Sequence, residues 1–104
     1  MNTSQNKFDA LEQLIFEEGV KIQAVDFHQE LDLMLIILNT TAILRQQISS
    51  FPRLNNATTE ELISYEILAN GAGIHWPLLD EDLSLKGFLQ NELRNIVTKN
   101  VIAA

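Results

Sequence analysis

The residues most able to do chemistry crowd into "GAGIHWPLLDEDLSLKGFL", Gly71 to Leu89, which holds His75, the only tryptophan Trp76, and the consecutive acids Asp80, Glu81 and Asp82. Two chemistries suggest themselves, a metal centre and acid/base catalysis. A metal needs ligands that converge, whereas His75 with Asp80 or Asp82 supplies one nitrogen and a few oxygens from a strand and a turn, and His28 is remote in the chain. The sequence has no HExxH pair, EF-hand loop or Cys/His spacing. Neighbouring carboxylates in a turn diverge, so they make a poor acid/base pair. The "GAG" triplet lacks the longer glycine patterns that cradle phosphates. The expectation is therefore no catalytic residue, no metal and no cofactor, with the stretch serving structure. Trp76 is read as a core plug rather than a partner's anchor.

The elements that position this stretch follow from periodicity. Phe8, Leu11, Leu14 and Ile15 fall at helical spacing, with Asn6 as a candidate cap and Gly19 as a left-handed terminator. From Val20 the period becomes two, and its phase slips at Ala24 and Val25, which predicts a bulge. The run from Leu31 to Leu38 is apolar on both faces apart from Asp32 and reads as a central strand covered on both sides. "NTT" turns the chain into a more polar outer strand, Ala42 to Ile48. Short connections make these three strands an antiparallel meander.

Pro52 breaks the pattern, and Thr58 with Glu61 forms a capping box. The spacing predicts a helix over Thr59 to Ala69, ended by Asn70 and Gly71, with a shorter helix and a strand from Glu66 as the alternative. "GIHW" is then a short strand stopped by Pro77. Leu85, Phe88, Leu89, Leu93 and Ile96 repeat as an amphipathic last helix, capped by Asp82 or Ser84. On that reading Asp80, Glu81 and Asp82 sit before a helix N-terminus, where the peptide dipoles favour negative charge. The fold class is α+β: N-terminal helix, three-stranded antiparallel meander, helix, short strand, C-terminal helix. Residues 1–19 form a helical extension, 20–97 a single domain and 98–104 a tail.

The chain has 104 residues, long enough for one core without staples. Seven basic against fourteen acidic residues give a net charge of -7, and the basic residues form no run, which argues against direct nucleic-acid binding and toward a basic protein partner. The longest apolar run, Leu33 to Leu38, is far short of the roughly 20 residues of a membrane span. No cysteine is present and the first residues lack a secretory pattern, so the cytoplasm is the expected compartment. Acids beside apolar positions in the first helix (Glu12, Glu17, Glu18) and apolar residues near the end (Ile96, Val101) are the candidate partner contacts, and a homo-oligomer is compatible with the same surfaces.

"FPRLNNAT", "YEIL" and "GIHWPLLDEDLSLKGFL" closely resemble the bacterial domain-of-unknown-function family 2442. The matching positions are Phe51, Pro52, Arg53 and Leu54, then Gly73, Ile74, His75, Trp76, Pro77, Asp80, Glu81, Asp82, Leu83 and Ser84. The likeness is strong from Phe51 to Leu89 and weaker from Val20 to Ile48; the first helix and the segment after Leu89 lie outside it. This chain departs from several members at Ser50, where they carry tryptophan, and at "NTT", where they have a glycine-containing turn. The resemblance implies a small α+β domain without established enzymatic activity, for which an antitoxin-like role in a toxin-antitoxin pair has been suggested. An interaction module is thus the expected function, ahead of a regulatory or nucleic-acid accessory protein and of a small enzyme.

Overall fold

The structure, a computed structural model, describes residues 8–103. Helix α1 (Ala10–Phe16) is capped by Asp9, whose carboxylate accepts from the Glu12 amide at 2.8 Å while the Glu12 side chain accepts from the Asp9 amide at 3.1 Å. The cap is therefore three residues later than the expected Asn6, which lies outside the described residues. Asp9 takes the role because a carboxylate there meets the free amide of the third helical residue. The chain leaves α1 through Gly19 at φ +76.

Strands β1 (Ile22–His28), β2 (Leu33–Leu38) and β3 (Ile43–Gln47) form the antiparallel meander, with β2 in the middle. The phase slip in β1 is real, but the extra residue is Gln23: Ile22 faces Leu38 and Ala24 faces Ile37. Met34, Ile36 and Leu38 are buried, whereas Leu33, Leu35 and Ile37 on the opposite face are only partly so. The expectation of a strand covered on both sides is thus corrected. One face of this sheet carries the core and the other is open, because the other elements pack on one side and along the edges. Asp32, at φ 53 between β1 and β2, turns the chain and accepts hydrogen bonds from the Ser49 amide (2.9 Å) and hydroxyl.

The capping box at Thr58 and Glu61 forms as expected, but α2 covers only Thr59–Ile63. The shorter alternative holds, since Glu66–Leu68 is strand β4. Ala69, Asn70 and Gly71 all have positive φ, a run that no right-handed helix accommodates. Strand β5 (Gly73–Trp76), anticipated as a lone short strand, is the centre of a second antiparallel sheet completed by β6 (Glu81–Ser84). Its register sets Glu66 and Asp82 on either side of His75, and Ile67 and Leu83 on either side of Ile74. Helix α3 (Leu85–Ala103) follows β6 directly, its first amide bonded to the carbonyl of Ala72 at 2.9 Å.

Trp76, Phe88, Met34, Ile36, Leu54, Leu62, Ile74 and Leu85 are fully buried and join both sheets, α2 and α3 in one core. One amide at each edge of the first sheet is met by a side chain. The Val25 amide donates to the Tyr65 hydroxyl at 3.2 Å, and the Arg45 amide to a Glu92 carboxylate oxygen at 3.0 Å. Among the described residues no helix is long and apolar enough to cross a membrane.

Candidate functional site

The motif stretch separates into distinct local roles. Trp76 is fully buried, and its indole N–H donates to the Leu62 carbonyl at 3.1 Å. Phe51 packs edge-on against Phe88 with ring centroids 6.0 Å apart, Leu54 is buried, and the Arg53 guanidinium donates to the Leu79 carbonyl at 3.4 Å. Pro77 follows β5 and opens the turn that Asp80 closes at φ 51, a conformation that short polar side chains tolerate. Gly73 lies close against β6, where an added Cβ would come within 3.3 Å of the Leu83 carbonyl.

The acids do not lie in the turn before α3 as anticipated. Glu81 and Asp82 are strand residues; Glu81 accepts from the Asp82 amide at 2.9 Å, and Asp82 meets His75 across the sheet with Oδ1 2.5 Å from Nδ1. Among the described residues, no group of three or more histidines, cysteines and acids is placed to hold a metal ion. The cap of α3 is Ser84, whose hydroxyl accepts from the Gly87 amide at 3.0 Å. Asp82 is excluded from that role because two strand residues separate it from the first turn. Ser84→Ala is accordingly expected to lower stability by about 0.5–2 kcal/mol. Asp82→Ala, whose side chain is 70% exposed, should change it by less than about 0.5 kcal/mol. Urea denaturation of the two variants side by side checks the assignment, and a larger loss at Asp82 would return the cap to it.

The candidate contacts at the ends are placed differently from one another. Helix α1 lies on α3, with Ile15 buried and the Lys86 ammonium held by Asp9 (2.8 Å) and Glu12 (3.1 Å). The hydrogen bond to Lys86, reinforced by the Glu12 amide, holds the Asp9 carboxyl below its ordinary range; the bonds to Asp9 and then Glu12 raise Lys86 above its own. Glu12 is thus engaged within the chain, while Glu17 and Glu18 are exposed. Farther along α3, Leu93, Ile96 and Val97 are 57%, 48% and 53% exposed, and their spacing puts them on one ridge. The side chain of Val101 lies outside the described residues.

A cleft of about 540 Å³ opens between α3 and the first sheet, lined by Leu33, Arg45 and Gln47 from the strands and by Arg94, Asn95 and Thr98 from the helix. Its wall is fixed by the buried Gln46, which donates to the carbonyls of Arg45 (2.8 Å) and Phe88 (3.3 Å) and accepts from Asn91 at 3.3 Å. Among the described residues neither Arg45 nor Arg94 has a carboxylate within ion-pair distance. Sequence reasoning missed this site because no spacing links Arg45 to Arg94; only the helix lying along the β3 edge brings them to one cleft. The single available signal was that both are arginines in an acidic chain.

None of the curated proteins matches the chain. A crystal structure of a protein of unknown function from Rhodospirillum rubrum ATCC 11170 is similar with 25% identity and a TM-score of 0.62, covering 69% of this chain and 87% of that one. The solution NMR structure of an uncharacterized protein from Chromobacterium violaceum is similar with 26% identity and a TM-score of 0.64, over 88% of this chain and 87% of the other. The family model described as "Protein of unknown function (DUF2442)" matches residues 22–93, from the start of β1 to the exposed half of α3. That match spans well over half of the sequence, and the chain belongs to the DUF2442 family.

Proposed function

We propose that this protein is a non-enzymatic interaction module that docks another protein through the far half of α3. The observation that supports this reading is the ridge of Leu93, Ile96 and Val97, exposed on successive turns beyond the part of α3 that carries Lys86 and the α1 contact. Large apolar side chains grouped on a helix suit a groove on a partner, with i, i+3 and i+4 as the anchors. Charge selects the groove. All fourteen acids lie at or before Glu92, whereas residues 93–104 carry Arg94 and Lys99 and no acid. The net acidity favours a basic partner for the body, but the ridge itself sits on a basic helical segment, so its groove is rimmed by acids. A second copy docked ridge to ridge is a weaker occupant, because it would set two basic segments without acids against each other. An antitoxin-like partnership is one form this docking takes.

Full-length protein captures the partner, and the affinity of the purified pair is then compared among variants. Leu93→Asp with Ile96→Asp is expected to weaken binding at least about tenfold, a loss of about 1.4 kcal/mol, while Glu17→Gln with Glu18→Gln leaves it unchanged. Undiminished binding by the ridge variant overturns the proposal. So does light scattering that shows a dimer dissociated by the same substitutions, since the ridge would then serve self-association.

A further inference from the structure

We propose that the cleft between α3 and the open face of the first sheet binds a small amphipathic carboxylate. The inference goes beyond the docking ridge and is independent of it: Arg94, Asn95 and Thr98 project from the opposite side of α3 to Leu93, Ile96 and Val97 at 100° per residue. The volume of about 540 Å³ falls among small-ligand sites, which occupy about 300–1,000 Å³.

The lining specifies the ligand's chemistry. Leu33 supplies an apolar floor that continues along β2 into the partly buried Leu35 and Ile37 on the same open face. The register places Gln47 opposite Leu33 and Arg45 opposite Leu35, so a cationic fork stands beside the apolar stripe. Arg94 supplies a second fork from the helix. Planar guanidinium groups match carboxylate oxygens in pairs, and these two have no carboxylate partner among the described residues. Asn95, Thr98 and Gln47 add uncharged donors and acceptors. A multiply charged phosphate ester fits less well, because it would lie on Leu33 and meet the field of a chain with net charge -7. The strand wall is preorganised, since Glu92 holds the Arg45 amide and Gln46 ties β3 to the helix. Little ordering is then required when a ligand enters.

Sodium octanoate is titrated into isotope-labelled full-length protein and followed by amide chemical shifts. Saturable shifts are expected at Leu33, Arg45, Gln47, Arg94 and Thr98, with the ridge variant binding equally well. Arg45→Gln with Arg94→Gln should weaken binding at least about tenfold, equivalent to about 1.4 kcal/mol. Both arginines are exposed, so an unchanged spectrum outside the cleft is expected of this variant; if it is not seen, Arg94→Gln alone decides. Inorganic phosphate and 1-octanol, each carrying one half of the ligand's character, should bind at least about tenfold more weakly than octanoate. The proposal is overturned by the absence of saturable shifts at millimolar octanoate, by unaltered affinity in the arginine variants, or by phosphate or octanol binding as tightly as octanoate.

Discussion

Trp76→Ala is expected to lose about 3–5 kcal/mol of stability in chemical denaturation. The indole is the largest fully buried side chain, sits on the central strand of the second sheet, and holds the end of α2 through the Leu62 carbonyl. Truncation opens a cavity at the junction of α2 and the sheet and strands that carbonyl without a donor. A small domain has about 5–15 kcal/mol in total, so much of its stability depends on this one residue. Trp76→Phe isolates the two contributions: it restores most of the volume and leaves the carbonyl unpaired, with an expected loss of about 1–3 kcal/mol. An unchanged denaturation midpoint for the alanine variant would refute the core role.

The second large effect is expected at Gly71. Its φ is +98, and an added Cβ would lie 2.6 Å from the Lys21 Cβ and 3.1 Å from the Ile22 carbonyl oxygen. The first contact is closer than real Cβ atoms approach, so the backbone of β1 or of the turn must move. Gly71→Ala should therefore cost about 2–5 kcal/mol, combining left-handed strain with overpacking. Gly19 provides the control, with φ +76 and nothing within 4 Å of its added Cβ. Gly19→Ala carries the strain alone, about 1–2 kcal/mol. Equal losses at the two sites, measured by urea titration, would show that the approach of the turn to β1 contributes nothing.

The parts of the fold that could be read from sequence are those whose apolar period is long enough to repeat. The meander and the last helix were legible for that reason, "GIHW" was marked by the glycines before it and Pro77 after it, and the capping box at Thr58 needed only its two residues. Strands β4 and β6 were obscured by brevity and by the charges of Glu66, Glu81 and Asp82, which are unusual in strands. An acid just before an apolar periodic run looks like a helix cap, yet Asp82 belongs to a strand and Ser84, two residues on, holds the amide. The bulge was misplaced by one residue because alternation before and after it fits Gln23 and Ala24 almost equally well. In β2 the apolar run suggested cover on both faces, although Leu33, Leu35 and Ile37 are half open. Apolarity records what a face favours, not which element lies over it. The arginine cleft was illegible for a different reason: its two sides are joined only in three dimensions. Arg45 lies inside the family match and Arg94 one residue beyond it.

The hydrogen bonds from Val25 to Tyr65 and from Arg45 to Glu92 give both flanks of the meander a role in keeping chains apart. An uncapped strand edge is a template on which a neighbouring chain adds its own strand. Here one amide on each edge is taken, by a phenol from the segment after α2 and by a carboxylate from α3, so these caps last only while those segments stay docked. Whatever lifts α3 from the β3 edge releases the Arg45 amide, beside a half-open face of Leu33, Leu35 and Ile37. Because Leu85 and Phe88 of the same helix are core residues, the edge and the core are guarded together, and a helix lifted from its seat would expose a strand edge and apolar core at once.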